Sequence, residues 1–296
     1  MHMKNKATLT LSLLASLVLA ACGGGGGSSS SPTPSTSSAS SPAAASAPVS
    51  ASAPIPASTV AANGEALPSL SSPQTGSTAA TGNGVEGIWT SVSGIDKTTA
   101  FIDPQGNVSD LNTLGGVGMS QLFGVVAATA PNWTLTSGTS FSIGFYYPTT
   151  AGSGTFVSKQ TFTGSYVENG NTVNLSWNYD AANALAVTQS SVAGTWAQTN
   201  SSLTIANDGT LSGTLSNCPV SGTLLLATPS SSKNLFTLSV TGTSTSCVLQ
   251  SGTTYTGNAA ITFLPISGTS LYVRTILFII KSAANTAIAY GQLQKQ

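Results

Sequence analysis

Short runs of Val, Ile, Leu, Thr, Tyr and Phe recur from about residue 85 onward, separated by Gly, Asn, Ser and Pro at intervals of roughly 8–12 residues. Asn169-Gly170 and Asn207-Asp208-Gly209 lie between such runs, where Gly and Asn readily adopt the positive φ of tight turns. No segment sustains an apolar period of 3.6 residues, so the pattern predicts an all-β, antiparallel fold. The clearest candidate strands are 139–147, 172–179, 235–242 and 270–281.

The strand region contains an internal repeat. Residues 85–89 (VEGIW) match residues 192–196 (VAGTW). Two further pairs of segments follow in the same order, 161–165 with 254–258 and 181–183 with 283–285. Ordered self-similarity indicates two homologous β units, 85–191 and 192–296. Units of this size protect their strand edges by closing into a barrel or by packing two sheets, and the sequence leaves both open.

The Gly-x-Trp sequence that opens each unit, with Trp89 in the first and Trp196 in the second, resembles the first-strand motif of lipocalin-like barrels. The resemblance implies that each Trp closes one end of a barrel and that an Arg from a late strand stacks on it. Arg274 is the only Arg and is the candidate partner of Trp196. The first unit has no Arg, and Lys159 is the substitute to consider there.

The N-terminal residues are typical of an export signal. Lys4 and Lys6 precede an uncharged stretch that ends in Leu19-Ala20-Ala21-Cys22. A basic start, a short apolar run and small residues before a cleavage point describe a signal peptide, here residues 1–21. The last four residues resemble the lipobox of bacterial lipoproteins. The resemblance implies that Cys22 is acylated and anchors the mature chain to a membrane, here the outer membrane because Gly23 is not Asp.

Residues 22–84 separate this anchor from the strands. They consist mainly of Gly, Ser, Ala, Pro and Thr, with Glu65 as the only charge, and all 4 Trp, 7 Tyr and 9 Phe lie after residue 84. Such a segment buries too little apolar surface to offset its ordering entropy, so the composition predicts a disordered linker. A lipidated tether followed by two β units also resembles the two-barrel surface lipoproteins of Neisseria in architecture.

Charge is scarce, with 8 Lys+Arg against 8 Asp+Glu in 296 residues. This balance offers no basic surface for a phosphate backbone and argues against nucleic-acid binding. The single His lies in the signal region, which excludes catalytic triads, and no metal site or other cofactor is predicted. Ser230 and Lys233 have the Ser-x-x-Lys spacing of some acylating enzymes but follow Pro229 in a polar loop. The sequence therefore predicts a protein that is not an enzyme.

Two cysteines remain after Cys22. Cys218 and Cys247 both fall in the second unit, and an exported protein meets an oxidising compartment, so a disulfide between them is predicted. Two reactive thiols are the alternative.

Aromatic residues supply the candidates for contact with a ligand or partner. Phe145, Tyr146 and Tyr147 are consecutive, and Trp133 and Trp177 complete the set.

Residues 271–280 are apolar on both faces of a strand except at Arg274 and Thr275, as expected in a fold buried on two sides. Such a strand also suits a membrane barrel, but paired aromatic girdles and a terminal aromatic residue are missing.

Together these features predict an outer-membrane-anchored lipoprotein with a non-enzymatic binding or structural role in the cell envelope. Its partners would be the membrane, through the lipid, and a protein or glycan. A lipocalin-like carrier of a small apolar ligand is one alternative, and an envelope enzyme acting on glycans through two of the carboxylates after residue 84 is another. An empty barrel interior would mark the carrier, and two facing carboxylates in a cleft would mark the enzyme.

Overall fold

The computed structural model of the protein describes residues 8–9, 64–142, 144–149, 151–285 and 287–296. Of the predicted signal peptide it includes only the two-residue strand β1 (Thr8–Leu9). The lipobox, Cys22 and linker residues 23–63 lie outside the described residues. The expectations of acylation and of a disordered linker over those positions therefore stay predictions.

The first β unit is a closed antiparallel barrel of eight strands, with one extra strand, β7, attached to β6. Its strands are β2 (Gly87–Ser93), β3 (Asp96–Ile102), β4 (Asn107–Leu114), β5 (Val117–Thr129), β6 (Asn132–Ser142), β7 (Phe145–Thr149), β8 (Gly152–Val157), β9 (Thr161–Glu168) and β10 (Asn171–Tyr179). The barrel closes where β10 pairs with β2, through Tyr179 opposite Trp89.

The second unit repeats this architecture with eight strands in simple sequential order. The strands are β11 (Gly194–Gln198), β12 (Ser201–Ile205), β13 (Thr210–Leu215), β14 (Cys218–Leu226), β15 (Phe236–Gly242), β16 (Thr254–Pro265), β17 (Tyr272–Ser282) and β18 (Ala287–Lys295). It closes where β18 pairs with β11, through Lys295 opposite Trp196. β1 pairs in parallel with the start of β18.

The structure thus confirms the all-β prediction and decides the open alternative in favour of barrels. Two 3₁₀ turns, Ala181–Ala184 and Gln189–Val192, lie between the barrels. The boundary predicted between residues 191 and 192 falls inside this connection.

The repeated Gly-x-Trp motif has the same geometry in both barrels. Trp89 Nε1 donates to the carbonyl oxygen of Val85 at 2.8 Å, and Trp196 Nε1 donates to that of Val192 at 2.7 Å. Both indoles are fully buried. The preceding Gly87 and Gly194 have φ values of 137° and 112°, which only glycine adopts readily. The motif therefore folds the chain back so that each indole reaches the entry of its own strand.

Residues 64–84 belong to the fold rather than to the linker to which the sequence assigned them. Glu65 pairs with Tyr272 through backbone hydrogen bonds in both directions, each 2.8 Å long. The short helix α1 (Thr78–Thr81) follows, and Thr78 is buried and accepts a hydrogen bond from the backbone N–H of Asn234. The prediction of disorder from composition was wrong for residues 64–84, because backbone and hydroxyl hydrogen bonds hold them and such bonds need no large apolar side chains.

Candidate functional site

The two barrels lie side by side and share a third hydrophobic core, in addition to the core inside each. Strand residues alternate between the barrel interior and its outer surface, and the outer faces of β3 to β6 and of β16 to β18 are apolar where they meet. The members of this shared core are Ile88, Phe101, Leu111, Phe123, Phe141, Ala182, Leu235, Ala260, Leu277, Ile279, Ile288 and Tyr290. This contact explains why residues 271–280 are apolar on both faces.

Polar groups also join the barrels. Ser109 Oγ donates to Asn258 Oδ1 at 2.9 Å, and the backbone N–H of Gly118 donates to the hydroxyl of Tyr290 at 3.2 Å. Asn234 binds the connection and the second barrel together, since its Nδ2 donates to the carbonyl oxygens of Ala182 and Ile261. Buried hydrogen bonds of this kind fix the position of one barrel against the other.

A cleft of about 440 Å³ opens along this interface. That volume falls within the range of ligand pockets. The first barrel contributes the outer faces of β4, β5 and β6, and the second those of β15, β16 and β17. The cleft is lined by Asp103, Asn107, Val108, Phe123, Gly124, Val125, Ser137, Gly138, Thr139, Thr237, Thr256, Gly257, Asn258 and Lys281.

Lys281 is the most distinctive group in the cleft. Its ammonium lies 5.7 Å from the centroid of the Phe123 ring and donates to Asn285 Oδ1. Burial lowers the pKa of Lys281. The ion pairs among the described residues join Lys233 to Glu86 and Arg274 to Glu65, so Lys281 has no carboxylate partner there.

Asn258 lies on the same face of the sheet as Lys281, diagonal to it across β16 and β17. It is 6% exposed, and its Oδ1 is occupied by Ser109. Within the described part of the chain its NH₂ group makes no hydrogen bond. The strand pairing places Thr237 opposite Asn258 and Thr256 opposite Lys281, which brings two hydroxyls next to the amide and the ammonium.

Asp103 lines the cleft, but both of its carboxylate oxygens accept hydrogen bonds within its own turn. Oδ1 accepts hydrogen bonds from the backbone N–H groups of Gln105 and Asn107, and Oδ2 accepts one from Asn107 Nδ2 at 2.7 Å. This carboxylate therefore holds the β3–β4 turn. Asp103 is the one carboxylate among the described lining residues, so these residues do not provide the facing pair of carboxylates that glycoside hydrolysis requires.

The aromatic candidates do not gather at the cleft. Trp133 and Trp177 are buried in the first barrel, stacked on opposite sides of Phe162 with centroid distances of 4.6 and 5.2 Å. They are core residues and not contact residues. Phe145 is 36% exposed, while Tyr146 and Tyr147 are half-buried on β7.

The barrel-closing arrangement also differs from the expectation. Trp89 and Trp196 are buried in their barrels, but the cation over Trp196 is Lys295, whose Nζ lies 5.5 Å from the ring centroid. Arg274 instead binds Glu65, with Nη2 2.8 Å from Oε2 and Nε in contact with Oε1. Lys295 takes the place over the ring because β18 pairs directly with β11 at this position. In the first unit, Lys159 donates to the carbonyl oxygen of Ala79.

The interior of the first barrel is filled by side chains. The space among nine of its core residues, from Val108 to Trp177, is only about 10 Å³. A single water needs at least as much, so a small apolar ligand has no room there. In the second barrel, side chains from all eight strands meet in one continuous buried core.

One carboxyl group inside the first barrel is unusual. Asp110 is 4% exposed and accepts a hydrogen bond from the backbone N–H of Leu122 at 2.7 Å. Burial raises the pKa of Asp110 to about 7, with a further contribution from the negative charge of Glu168. The same burial keeps it out of reach of a large substrate.

Cys218 and Cys247 are free thiols in the structure, so the expected disulfide is not formed in it. The nearby Cys218 thiol raises the pKa of Cys247, and Cys247 Sγ lies 3.9 Å from the carbonyl oxygen of Asn217. Cys218 is buried at the start of β14, whereas Cys247 lies in the β15–β16 loop and is partly exposed.

The described residues contain no group of three or more His, Cys, Asp or Glu side chains placed to hold a metal ion. No helix in the described part of the chain is long and apolar enough to cross a membrane.

No protein-family model matches the chain, and neither the curated proteins nor the solved structures compared with it give a significant match. The case for function therefore depends on the chain's own residues.

Proposed function

We propose that the protein is an outer-membrane-anchored lipoprotein that acts as a non-enzymatic binding module of the bacterial cell envelope, and that the cleft between its barrels is the binding site. The anchor follows from the lipobox-like Leu19-Ala20-Ala21-Cys22. The binding role is supported above all by the cleft itself, a concave surface that contains a half-buried ammonium with no carboxylate partner, and an amide NH₂ group with no acceptor, among the described residues. Polar groups left without partners at a concave surface are typical of ligand sites.

The two alternative functions receive less support from the geometry. A carrier needs an internal cavity, and the first barrel is filled. A glycan hydrolase needs two accessible carboxylates, and the cleft offers Asp103, which its own turn occupies. The geometry of the cleft therefore fits a non-enzymatic binding protein better than a carrier or a hydrolase.

The anchor is tested by expressing the full chain in a Gram-negative host with an alkyne-tagged palmitate analogue. We expect acyl label on the wild-type protein and none on Cys22→Ala, which should also leave the membrane fraction. Cys218→Ala is the matched control, because it removes a thiol but leaves the lipobox intact. Label that persists in Cys22→Ala would refute the lipoprotein assignment.

The binding role is tested by screening full-length protein in detergent against glycans, peptides and small metabolites. Thr256→Trp places an indole at the exposed position beside Lys281 and should block any ligand of the cleft. Thr172→Trp, an exposed position on β10 outside the cleft lining, is the control. If no ligand binds, or if every ligand binds Thr256→Trp as tightly as wild type, the cleft is not the binding site.

A further inference from the structure

The cleft contains an incomplete anion site. The Lys281 ammonium lies over the face of Phe123, bound to the neutral side chain of Asn285, and no carboxylate of the described residues pairs with it. A ring face and an amide oxygen hold a cation in position but do not neutralise it. A partly desolvated positive charge at the wall of a cleft is therefore stabilised by an anion that enters from solvent.

The donors indicate a single negative charge. Among the described lining residues Lys281 is the only cation, and the NH₂ of Asn258, which has no acceptor among them, is a neutral donor on the same face. Phosphate and sulfate sites in proteins usually bring several donors together, with Arg or Lys side chains joined by a helix N-terminus or a nest of backbone N–H groups. The described lining contains no Arg and no helix. One ammonium and one amide suit a carboxylate.

The rest of the cleft indicates what carries the carboxylate. The hydroxyls of Ser137, Thr139, Thr237 and Thr256 can each donate and accept, as the hydroxyls of a sugar do. Phe123 is only 6% exposed and is covered by Lys281, so an exposed aromatic platform is not available in this lining. The strands that line the cleft are paired on both sides, so they offer no free edge to which a peptide could add as a further strand.

We propose that the cleft binds a saccharide bearing a carboxylate, with the carboxylate against Lys281 and Asn258 and the sugar hydroxyls against the threonine and serine side chains. The proposal rests on the proposed binding function and specifies its ligand class. An acidic sugar matches the site in charge, in hydroxyl content and in the concave shape of the interface.

The test compares glucuronic acid and trigalacturonic acid with their methyl esters, which remove the charge and keep the hydroxyls. Full-length protein in detergent is titrated with each probe and followed by saturation-transfer NMR and calorimetry. We expect the acids to bind at least tenfold more tightly than the esters. Lys281→Met should abolish this preference, Lys281→Arg should retain most of it, and Lys97→Met, on β3 outside the cleft, should leave it unchanged.

The possible failures are distinguishable. Equal binding of acids and esters, or a preference unaffected by Lys281→Met, overturns the acidic-sugar assignment while leaving the binding module intact if Thr256→Trp still blocks the ligand. Stronger binding of a peptide with a free C-terminus than of either acid also overturns it, in favour of a peptide site. If no ligand of the wider screen is sensitive to Thr256→Trp either, the proposed binding site itself fails. Circular dichroism and thermal melts of each variant separate these outcomes from misfolding.

Discussion

Lys233 Nζ lies 2.7 Å from Glu86 Oε2, and this ion pair joins the loop between β14 and β15 of the second barrel to the residue that precedes β2 of the first. The Glu86 side chain is 1% exposed and that of Lys233 is 16% exposed. Glu86 also accepts a hydrogen bond from the backbone N–H of Asn83. The pair thus connects the entry of one barrel to the other in a largely water-excluded position.

We expect Lys233→Met to lower the free energy of unfolding by about 3–5 kcal/mol, because it leaves a buried carboxylate without its partner. Glu86→Gln should cost less, since the lysine that remains can reach water. The double variant should recover much of the loss, which urea denaturation of all four proteins measures as a coupling energy. Strictly additive losses would show that the pair contributes no interaction of its own.

The position of Lys233 also bears on whether it could act as a base for Ser230. The Ser-x-x-Lys spacing from Ser230 to Lys233 would matter for acyl transfer only if the amine were available as a base. Its amine is bound to both carboxylate oxygens of Glu86 instead. The lysine is therefore a structural residue of the interface.

The segment 64–84 should contribute to stability as part of the fold. Glu65 supplies the carboxylate for Arg274, which is 8% exposed. Hydrogen bonds to charged groups contribute about 1.5–3 kcal/mol, so we expect Glu65→Gln to lower the free energy of unfolding by about that amount. Thermal and urea unfolding of the full chain measure the change, with Ser71→Ala in the same segment as a surface control.

A shortened chain tests the same segment independently. Protein starting at residue 85 lacks both Glu65 and Thr78, so it should melt at a lower temperature than protein starting at residue 64 and digest faster with trypsin. Equal melting temperatures and equal digestion rates would mean that the segment adds nothing to the barrels.

The sequence predicted those parts of the fold that depend on local chemistry. The alternation of apolar and polar residues predicted the all-β class. The Gly-x-Trp repeat identified two units, because in each unit the glycine (Gly87 or Gly194) has a positive φ and the indole needs a buried site. The ordering of residues 64–84 was missed because the contacts of Glu65 lie more than 200 residues away in the chain. Their partners exist only once the second barrel has closed.

The cleft could not be predicted from the sequence for a similar reason. Lys281 and Asn258 are ordinary polar residues in β strands until the pairing of β16 with β17 and the docking of the barrels set them beside Phe123. The one available signal was the strand at 271–280, whose two apolar faces indicated a second buried surface. That pattern indicates an interface, but it does not show that the interface contains a cleft. Trp133 and Trp177, chosen as large aromatics, are core residues because their side chains point into the first barrel and not toward its outer surface.

Cys218 and Cys247 should form a disulfide when the protein is oxidised. The Cys218 thiol is near enough to raise the pKa of Cys247, and a disulfide between them should stabilise the fold by about 3–4 kcal/mol because the closed loop restricts the unfolded chain. Because the neighbouring Cys218 raises the pKa of Cys247, oxidation should be faster at pH 9 than at pH 7.

Intact-mass spectrometry of the full chain before and after oxidation checks this, through a loss of two hydrogens that dithiothreitol reverses. Cys247→Ser is the matched control and should show no such loss. Two thiols that still react with a maleimide after oxidation would establish the alternative of two independent cysteines.

Asp110 should make the first barrel less stable as the pH rises. Its folded pKa is about 7 against an ordinary value of 3.8, so the folded state retains a proton that the unfolded state has lost between those two values. The free energy of unfolding should therefore fall between about pH 4 and pH 7, by an amount of the order of 4 kcal/mol. The groups acting on Asp110 are the backbone N–H of Leu122, which lowers its pKa, and Glu168, which raises it.

Asp110→Asn keeps an acceptor for Leu122 and removes the titration. We expect the variant to match wild type near pH 4 and to be more stable at pH 8, as urea unfolding at four pH values would show. Asp208→Asn is the control of opposite sign, since hydrogen bonds from Thr210 lower the pKa of that exposed carboxyl and its charged form favours the fold. A difference between wild type and Asp110→Asn that does not change with pH would mean that this carboxyl stays ionised inside the barrel.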